Sequence, residues 1–246
     1  MRNSRSAIAL LEQGYRSFLD LLYPRRCPLC HRILRSSHEL LCPDCAGNLR
    51  PISGPRCYKC GKPVKEEEEY CRDCQTSPGA FDQGIGIFLY DDRMKYSIMK
   101  YKYFGCREYS RFYGKALYLY GKERLEFWKP QMIVPVPLHW RKQRKRGFNQ
   151  AELLARELSR YTGIPVNTGL LKKKHATRSQ KKLDAAGRKK NLKEAFQVVG
   201  NPVGKRILLI DDVYTTGSTM DVLAHALLEK GASHVFFLTV CIGSNR

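Results

Sequence analysis

Two adjacent carboxylates, Asp211 and Asp212, stand just before a turn made of Thr215, Thr216, Gly217, Ser218 and Thr219. Hydroxyls and free backbone N–H groups crowded into one turn can cradle an anion, and a phosphate group fits. Carboxylates repel an anion held beside them, so the acid pair must address another part of the same ligand. Sugar hydroxyls, which donate hydrogen bonds, suit it. A ribose 5-phosphate satisfies both halves. An N-cap cluster on a surface loop accounts for a lone DD or TTG, but not for the whole string.

The flanking pattern says what must hold these residues. Ile207 to Ile210 is a short apolar run with β-branched ends, which suits a strand covered on both faces. Met220, Leu223, Ala224, Leu227 and Leu228 then recur at helical spacing until Gly231. The order is therefore strand, tight polar loop, helix. Further strands are expected at DQGIGIFLY, QMIVPVPL, IPVNTGLL, near EAFQVV and at HVFFLTVCI, and helices at MKYSIMKYKYFG, YSRFYGKALYLYGKERL and NQAELLARELSRY. Strands alternating with helices give an α/β fold with a mostly parallel sheet, helices on both faces, and ligands at the carboxyl ends of the strands.

One such end carries VPVPLHWRKQRKRGFNQ, read as a strand, a proline-stiffened loop with five cations from Arg141 to Arg146, then Gly147 and a helix. The loop could hold pyrophosphate or be a solvated basic loop; Arg146 and, further along the chain, Arg188 are the candidate cations for pyrophosphate. Arg141, Lys142, Arg144 and Lys145, with Lys172, Lys173 and Lys174, are the expected nucleic-acid contacts. The basic stretch 172–191 is too long and charged for an ordinary connection and reads as a mobile flap over the crevice, or as a linker that touches nothing. Trp140, Phe148, Tyr101, Tyr103 and Phe104 lie among these cations and are open to either a core or a base-stacking role.

Eight of the ten cysteines fall in four C-x2-C pairs between Cys27 and Cys74. Such a pair brings two sulfurs to one metal, and two pairs complete a tetrahedral, all-thiolate zinc site that is closed and structural. Cys27, Cys30, Cys42 and Cys45 are assigned to one zinc and Cys57, Cys60, Cys71 and Cys74 to the other; a crossed arrangement of alternate pairs stays open. A redox dithiol explains one pair but not four. Residues 23–78 hold few large apolar side chains, so metal must supply the cohesion that a core cannot. Cys106 and Cys241 read as small core residues, and the four glutamates 66–69 as a solvated hairpin tip.

The chain has 246 residues, enough for one core and a smaller module, and a formal net charge of +21. A field of that sign attracts polyanions, whether nucleic acid or an acidic membrane surface. No apolar run approaches a membrane span; Ile8, Leu11, Tyr15, Phe18, Leu19 and Leu22 mark one face of an amphipathic helix that docks on the rest of the protein. Ten cysteines without an export signal suggest a reducing compartment. The expected organisation is a helix over 1–22, a double zinc ribbon over 23–78 and an α/β domain over 79–246. There is no G-x-x-x-x-G-K-[ST] and no G-x-G-x-x-G after a strand, which removes the main support for nucleoside-triphosphate or dinucleotide binding.

The string ILLIDDVYTTGST resembles the signature of the type I phosphoribosyltransferase fold. There the acid pair holds the ribose hydroxyls of phosphoribosyl pyrophosphate and the turn wraps its 5-phosphate. LLYPRRCPLC, VPVPL with RGFNQAELLA, ATRSQ, RKKNLKEAF and IDDVYTTGST also stand in the order seen in the ComF family, competence proteins of bacterial natural transformation. Glu194 departs from that pattern, standing where a glycine is usual. The resemblance implies a double zinc ribbon ahead of a phosphoribosyltransferase-like domain, and phosphoribosyl pyrophosphate with Mg2+ as ligand. It further implies cytoplasmic handling of incoming single-stranded DNA, a helicase-type ATPase of the DNA-uptake machinery as partner, and transient inner-membrane association. The alternative is a working phosphoribosyltransferase of purine or pyrimidine salvage, or one that transfers amide nitrogen. A duplex-gripping regulator would need a helix-turn-helix, and the amino terminus is taken by cysteine ribbons.

Overall fold

The structure, a computed structural model, describes residues 23–36, 38–174 and 195–244. The helix expected over 1–22, Arg188, Glu194 and most of the basic flap lie outside the described residues. The chain divides into two units, Met1–Leu49 and Arg50–Arg246.

In the first unit a knuckle closes when Cys27 N–H donates to Arg32 O at 2.8 Å and His31 N–H to Cys27 O at 2.8 Å. Cys42 then caps helix α1, Pro43–Gly47, with proline in its first turn. The second unit repeats the device. Cys57 N–H donates to Lys62 O, Gly61 N–H to Cys57 O, and Cys71 caps helix α2, Arg72–Thr76. The residue after the second cysteine is left-handed in both knuckles, His31 at φ 64° and Gly61 at φ 74°. His31 bears the strain of an L-residue in that region. Gly61 has a further reason to lack a side chain, since a Cβ there would lie 2.6 Å from Gly84 O.

The rest of the second unit is the α/β domain. Strand β1 is Gln83–Leu89, helix α3 Asp92–Tyr103, helix α4 Tyr109–Trp128, strand β2 Met132–Pro135, helix α5 Trp140–Arg146 and helix α6 Gln150–Thr162. Strands β3, Leu171–Lys173, and β4, Phe196–Val198, follow, then β5, Arg206–Tyr214, helix α7, Ser218–Glu229, and β6, His234–Ile242. The main sheet has the order β1-β6-β5-β2, every pairing parallel. Alternation along β5 sends Ile207 and Leu209 into one core with Met220, Leu223 and Leu227 of α7. On the opposite face Trp128 of α4 stacks on Phe236 with ring centroids 5.1 Å apart, and Leu238 meets Gly121 of the same helix. Helices therefore cover both faces, as the continuous apolar strands require.

Three expectations change. The strand expected at IPVNTGLL contributes a single parallel bridge, Val166 to Ile133, and its end instead opens β3, which pairs antiparallel with β4. Lys172 and Lys173 therefore sit in a strand rather than a flap. The loop of five cations is helix α5: the His139 side chain accepts from Arg141 N–H, Gly147 closes the end at φ 78°, and Arg144, Lys145 and Arg146 lie in the last turn. Cations at a helix C-terminus are stabilised by its carbonyls.

β1 passes so close to β6 that a Cβ on Gly84 would fall 2.1 Å from the Phe237 ring. Gly84→Ala should therefore destabilise the protein by about 1–3 kcal/mol, read as a lower urea midpoint with an unchanged denaturant slope.

Candidate functional site

The β5–α7 turn lies at the carboxyl end of the sheet. Gly217 caps α7 at φ 79° with no side-chain cap, so among the described residues the first N–H groups of the helix have neither a helical acceptor nor a capping oxygen. Thr215, Thr216 and Ser218 are exposed, and the Thr216 and Ser218 hydroxyls lie 3.0 Å apart. The bend is thus open and lined with donors, not filled by its own side chains. Beneath it, Tyr214 stacks on Phe237 with centroids 4.5 Å apart and meets Phe81 edge-on. A Cβ on Gly217 would come within 2.3 Å of the Tyr214 hydroxyl. Gly217 is required both for its backbone angle and for this approach.

The acid pair divides. Asp212 is buried and bonded to Lys102 of α3 at 2.8 Å, a contact that sequence reading missed. Burial works against the Lys102 charge, but Asp212 beside it raises its pKa above the ordinary lysine value. Asp211 accepts from Asp212 N–H at 2.9 Å. Burial and the neighbouring Asp212 charge push Asp211 up to about 7, against the pull of Lys102 and Lys173. Lys173, of the expected nucleic-acid set, lies near enough to Asp211 and Lys142 to feel both charges, and burial lowers its pKa. Its ammonium caps the Phe196 ring at 4.6 Å. Lys172 and Lys174 are exposed, as are Arg141, Lys142, Arg144 and Lys145 on α5.

Arg146 donates to Gln150 Oε1 at 2.9 Å and to the Tyr103 hydroxyl at 3.0 Å. Gln150 is buried, and its Nε2 has no acceptor among the described residues, a donor unspent at the start of α6. The FNQ string after Gly147 was the only sequence signal for it. Of the aromatics, Tyr101 and Phe148 belong to the core, whereas Trp140, Tyr103 and Phe104 are exposed.

Both cysteine groups form in sequential pairing: Cys27, Cys30, Cys42 and Cys45, and Cys57, Cys60, Cys71 and Cys74, each with sulfurs within 4.8 Å of one another. The Cys30–Cys42 and Cys60–Cys71 sulfurs are 3.6 and 3.5 Å apart. Zn–S bonds of about 2.3 Å in a tetrahedron place sulfurs about 3.8 Å apart, whereas a disulfide needs about 2.05 Å, so the groups fit zinc. In the second group hydrogen bonds from Cys60 and Cys74 hold the Cys57 thiol far below its usual range, while Cys57 pushes Cys74 up to about 12. Four sulfurs so close cannot all be anionic without a cation, which zinc would supply. Cys106 and Cys241 are buried, as expected of core residues, and glutamates 66–69 are exposed. Among the described residues no helix is long and apolar enough to cross a membrane.

A profile of the Double zinc ribbon domain matches residues 18–75, and one of the Phosphoribosyl transferase domain matches residues 123–246. The chain is 31% identical to Competence protein F of Haemophilus influenzae over 85% of its own length and 93% of that protein's. It is 30% identical to DNA utilization protein YhgH of Escherichia coli K12, covering 90% of this chain and 98% of that one. It is 33% identical to Competence protein ComFC of Bacillus subtilis, covering 78% and 80%. The two domains define a zinc-ribbon protein with a phosphoribosyltransferase-type α/β fold. The chain belongs to the ComF family.

Two outcomes follow. Cys60→Ser should lower bound zinc from two per chain to one, measured by elemental analysis of the purified protein, because one missing thiolate opens a closed site; two retained zincs would contradict the assignment. Asp211 binds a proton more readily folded, at about 7, than at its ordinary 3.8, so its ionisation opposes folding. The cost grows from about pH 4 to about 7 and stays constant above. Asp211→Asn should gain stability over the parent through that window, by no more than about 4 kcal/mol, in urea titrations; a gap independent of pH would refute it.

Proposed function

We propose that the protein binds phosphoribosyl pyrophosphate with Mg2+ in the crevice at the β5–α7 turn and acts in the cytoplasmic handling of single-stranded DNA during uptake. The observation that carries the first part is the uncapped start of α7 beside an open hydroxyl bend and an acid pair. The 5-phosphate would take the N–H and hydroxyl donors of Thr215 to Thr219, and Asp211 would accept from the ribose. Asp212 would join it once a ligand hydroxyl competes with Lys102. Arg146 and Arg188 are the cations assigned to the pyrophosphate in this reading. Mg2+ takes few protein ligands and rides on substrate phosphates, which suits a site with one carboxylate to spare.

The DNA part rests on the relatives named for competence and DNA utilization, and on the net charge of +21. A helicase-type ATPase of the uptake machinery and transient inner-membrane contact are the partners this role calls for. The Phosphoribosyl transferase match favours one second reading, transfer of the phosphoribosyl group to a base or to ammonia with release of pyrophosphate. The ring oxygen would stabilise the cation-like sugar while Asp211 orients it.

Calorimetric titration of the full chain with phosphoribosyl pyrophosphate and Mg2+ should show one site, strengthening as pH rises through about 7, where Asp211 becomes an acceptor. Asp211→Asn should flatten that rise, and Gly217→Ala should abolish binding. No heat with the parent protein would end the proposal. Pyrophosphate release in the presence of a base panel or ammonia would select the enzyme.

A further inference from the structure

The surface formed by the end of α3 and helix α5 combines exposed aromatic rings with basic side chains. Tyr103, Phe104 and Trp140 are 63%, 59% and 57% exposed, which is unusual for rings that could be buried. Each lies under a cation. Lys100 sits 4.2 Å from the Phe104 centroid, Arg146 4.7 Å from Tyr103 and Arg141 5.2 Å from Trp140. Lys100 also reaches the ring of Tyr96, one turn back along α3, at 5.4 Å.

These cations are not neutralised. Some basic side chains meet carboxylates, as in Lys95–Asp92, Arg156–Glu152 and Arg160–Glu157. Among the described residues no carboxylate lies within ion-pair distance of Lys100, Arg141 or Arg146. The two elements are joined, because Arg146 bonds the Tyr103 hydroxyl at 3.0 Å. Along α5, Trp140 stands about 9 Å from Arg146 at the helical rise of about 1.5 Å per residue. The result is a strip in which exposed aromatic rings lie among uncompensated positive charges.

We propose that this strip is a stacking platform for single-stranded DNA, with bases on Phe104, Tyr103 and Trp140 and phosphates on Lys100 and Arg141. Unpaired bases offer flat faces at every step and a phosphate between them, which is the complement of the strip. A duplex hides those faces and would leave the rings unused. The proposal rests on the DNA-handling reading above; Arg146 is shared with the pyrophosphate end of the ligand in that reading, whereas Tyr96, Phe104 and Trp140 take no part in the bend.

The test is fluorescence anisotropy of the zinc-loaded full chain with a labelled oligothymidylate and with an abasic strand of equal length. Wild type should prefer the oligothymidylate by at least about fivefold, and Phe104→Ala and Trp140→Ala should each weaken it by roughly 5- to 100-fold while binding the abasic strand as before. Phe104→Tyr and Trp140→Phe should retain most of the affinity. Unchanged melting and phosphoribosyl pyrophosphate titrations would show that the variants are folded. Equal wild-type affinity for the two strands, or alanine variants that bind oligothymidylate like wild type, would overturn the platform and leave DNA handling standing. A wild-type chain that binds neither strand would remove both. Loss of binding to phosphatidylserine vesicles, with oligothymidylate binding intact, would make the strip a membrane contact and overturn the proposal.

Discussion

The open bend between β5 and α7 depends on a four-cysteine knot that is part of the α/β core. Cys57, Cys60, Cys71 and Cys74 are buried in the same cluster as Phe81, Tyr214, Phe237 and the inner face of α7. Tyr214 is the intermediary. Its ring stacks on Phe237 below, and its hydroxyl sets how closely Gly217 can pass above. The knot itself is pressed onto the sheet edge, where Gly84 N–H donates to Lys59 O at 2.9 Å and Gly61 allows the approach. Four thiols at that spacing repel once ionised, and a bound cation converts the repulsion into cohesion. Metal at this site would therefore stiffen the floor of the bend as well as the ribbon. The same buried sulfurs, with burial as the larger cause, raise the Tyr214 pKa and keep its hydroxyl protonated.

Buried charge at the end of β5 is paired, whereas the surface carries an excess of positive charge. Lys102 reaches in from α3 to meet Asp212, with 22% and 6% of the two side chains exposed. Such a pair costs desolvation on both sides, and removing either partner would strand a buried charge. Asp211, one position earlier, points to the other face of the strand and has no such partner among the described residues. Its carboxyl is then the acid for which a ligand hydroxyl competes with fewest existing bonds.

Much of this was legible in the residues. Continuous apolar runs at β5 and β6 identify buried parallel strands, and helical spacing after Gly217 identifies α7. The C-x2-C spacing gave both four-sulfur groups but not their setting, since a cysteine counted as a ligand is also a small apolar residue that packs. Helix α5 reads as a loop in the sequence because seven residues without a buried face carry no periodicity; its caps, His139 and Gly147, supply what the pattern lacks. Lys102 was illegible for a different reason. Its partner lies far along the chain, and only the sheet order brings α3 to the end of β5.

That placement gives α3 two duties. Lys102 and Tyr103 are consecutive, and on a helix consecutive side chains diverge by about 100°. One is held in the crevice by Asp212, the other lies on the surface under Arg146. Rotation of α3 about its axis is therefore restricted from both sides, by a buried ion pair and by an external cation–ring contact. The direction in which Phe104 and Tyr96 present their faces is fixed by the bond that Lys102 makes to the acid pair. A sequence that needed only a soluble surface would have no reason to leave those rings exposed on a helix so firmly oriented.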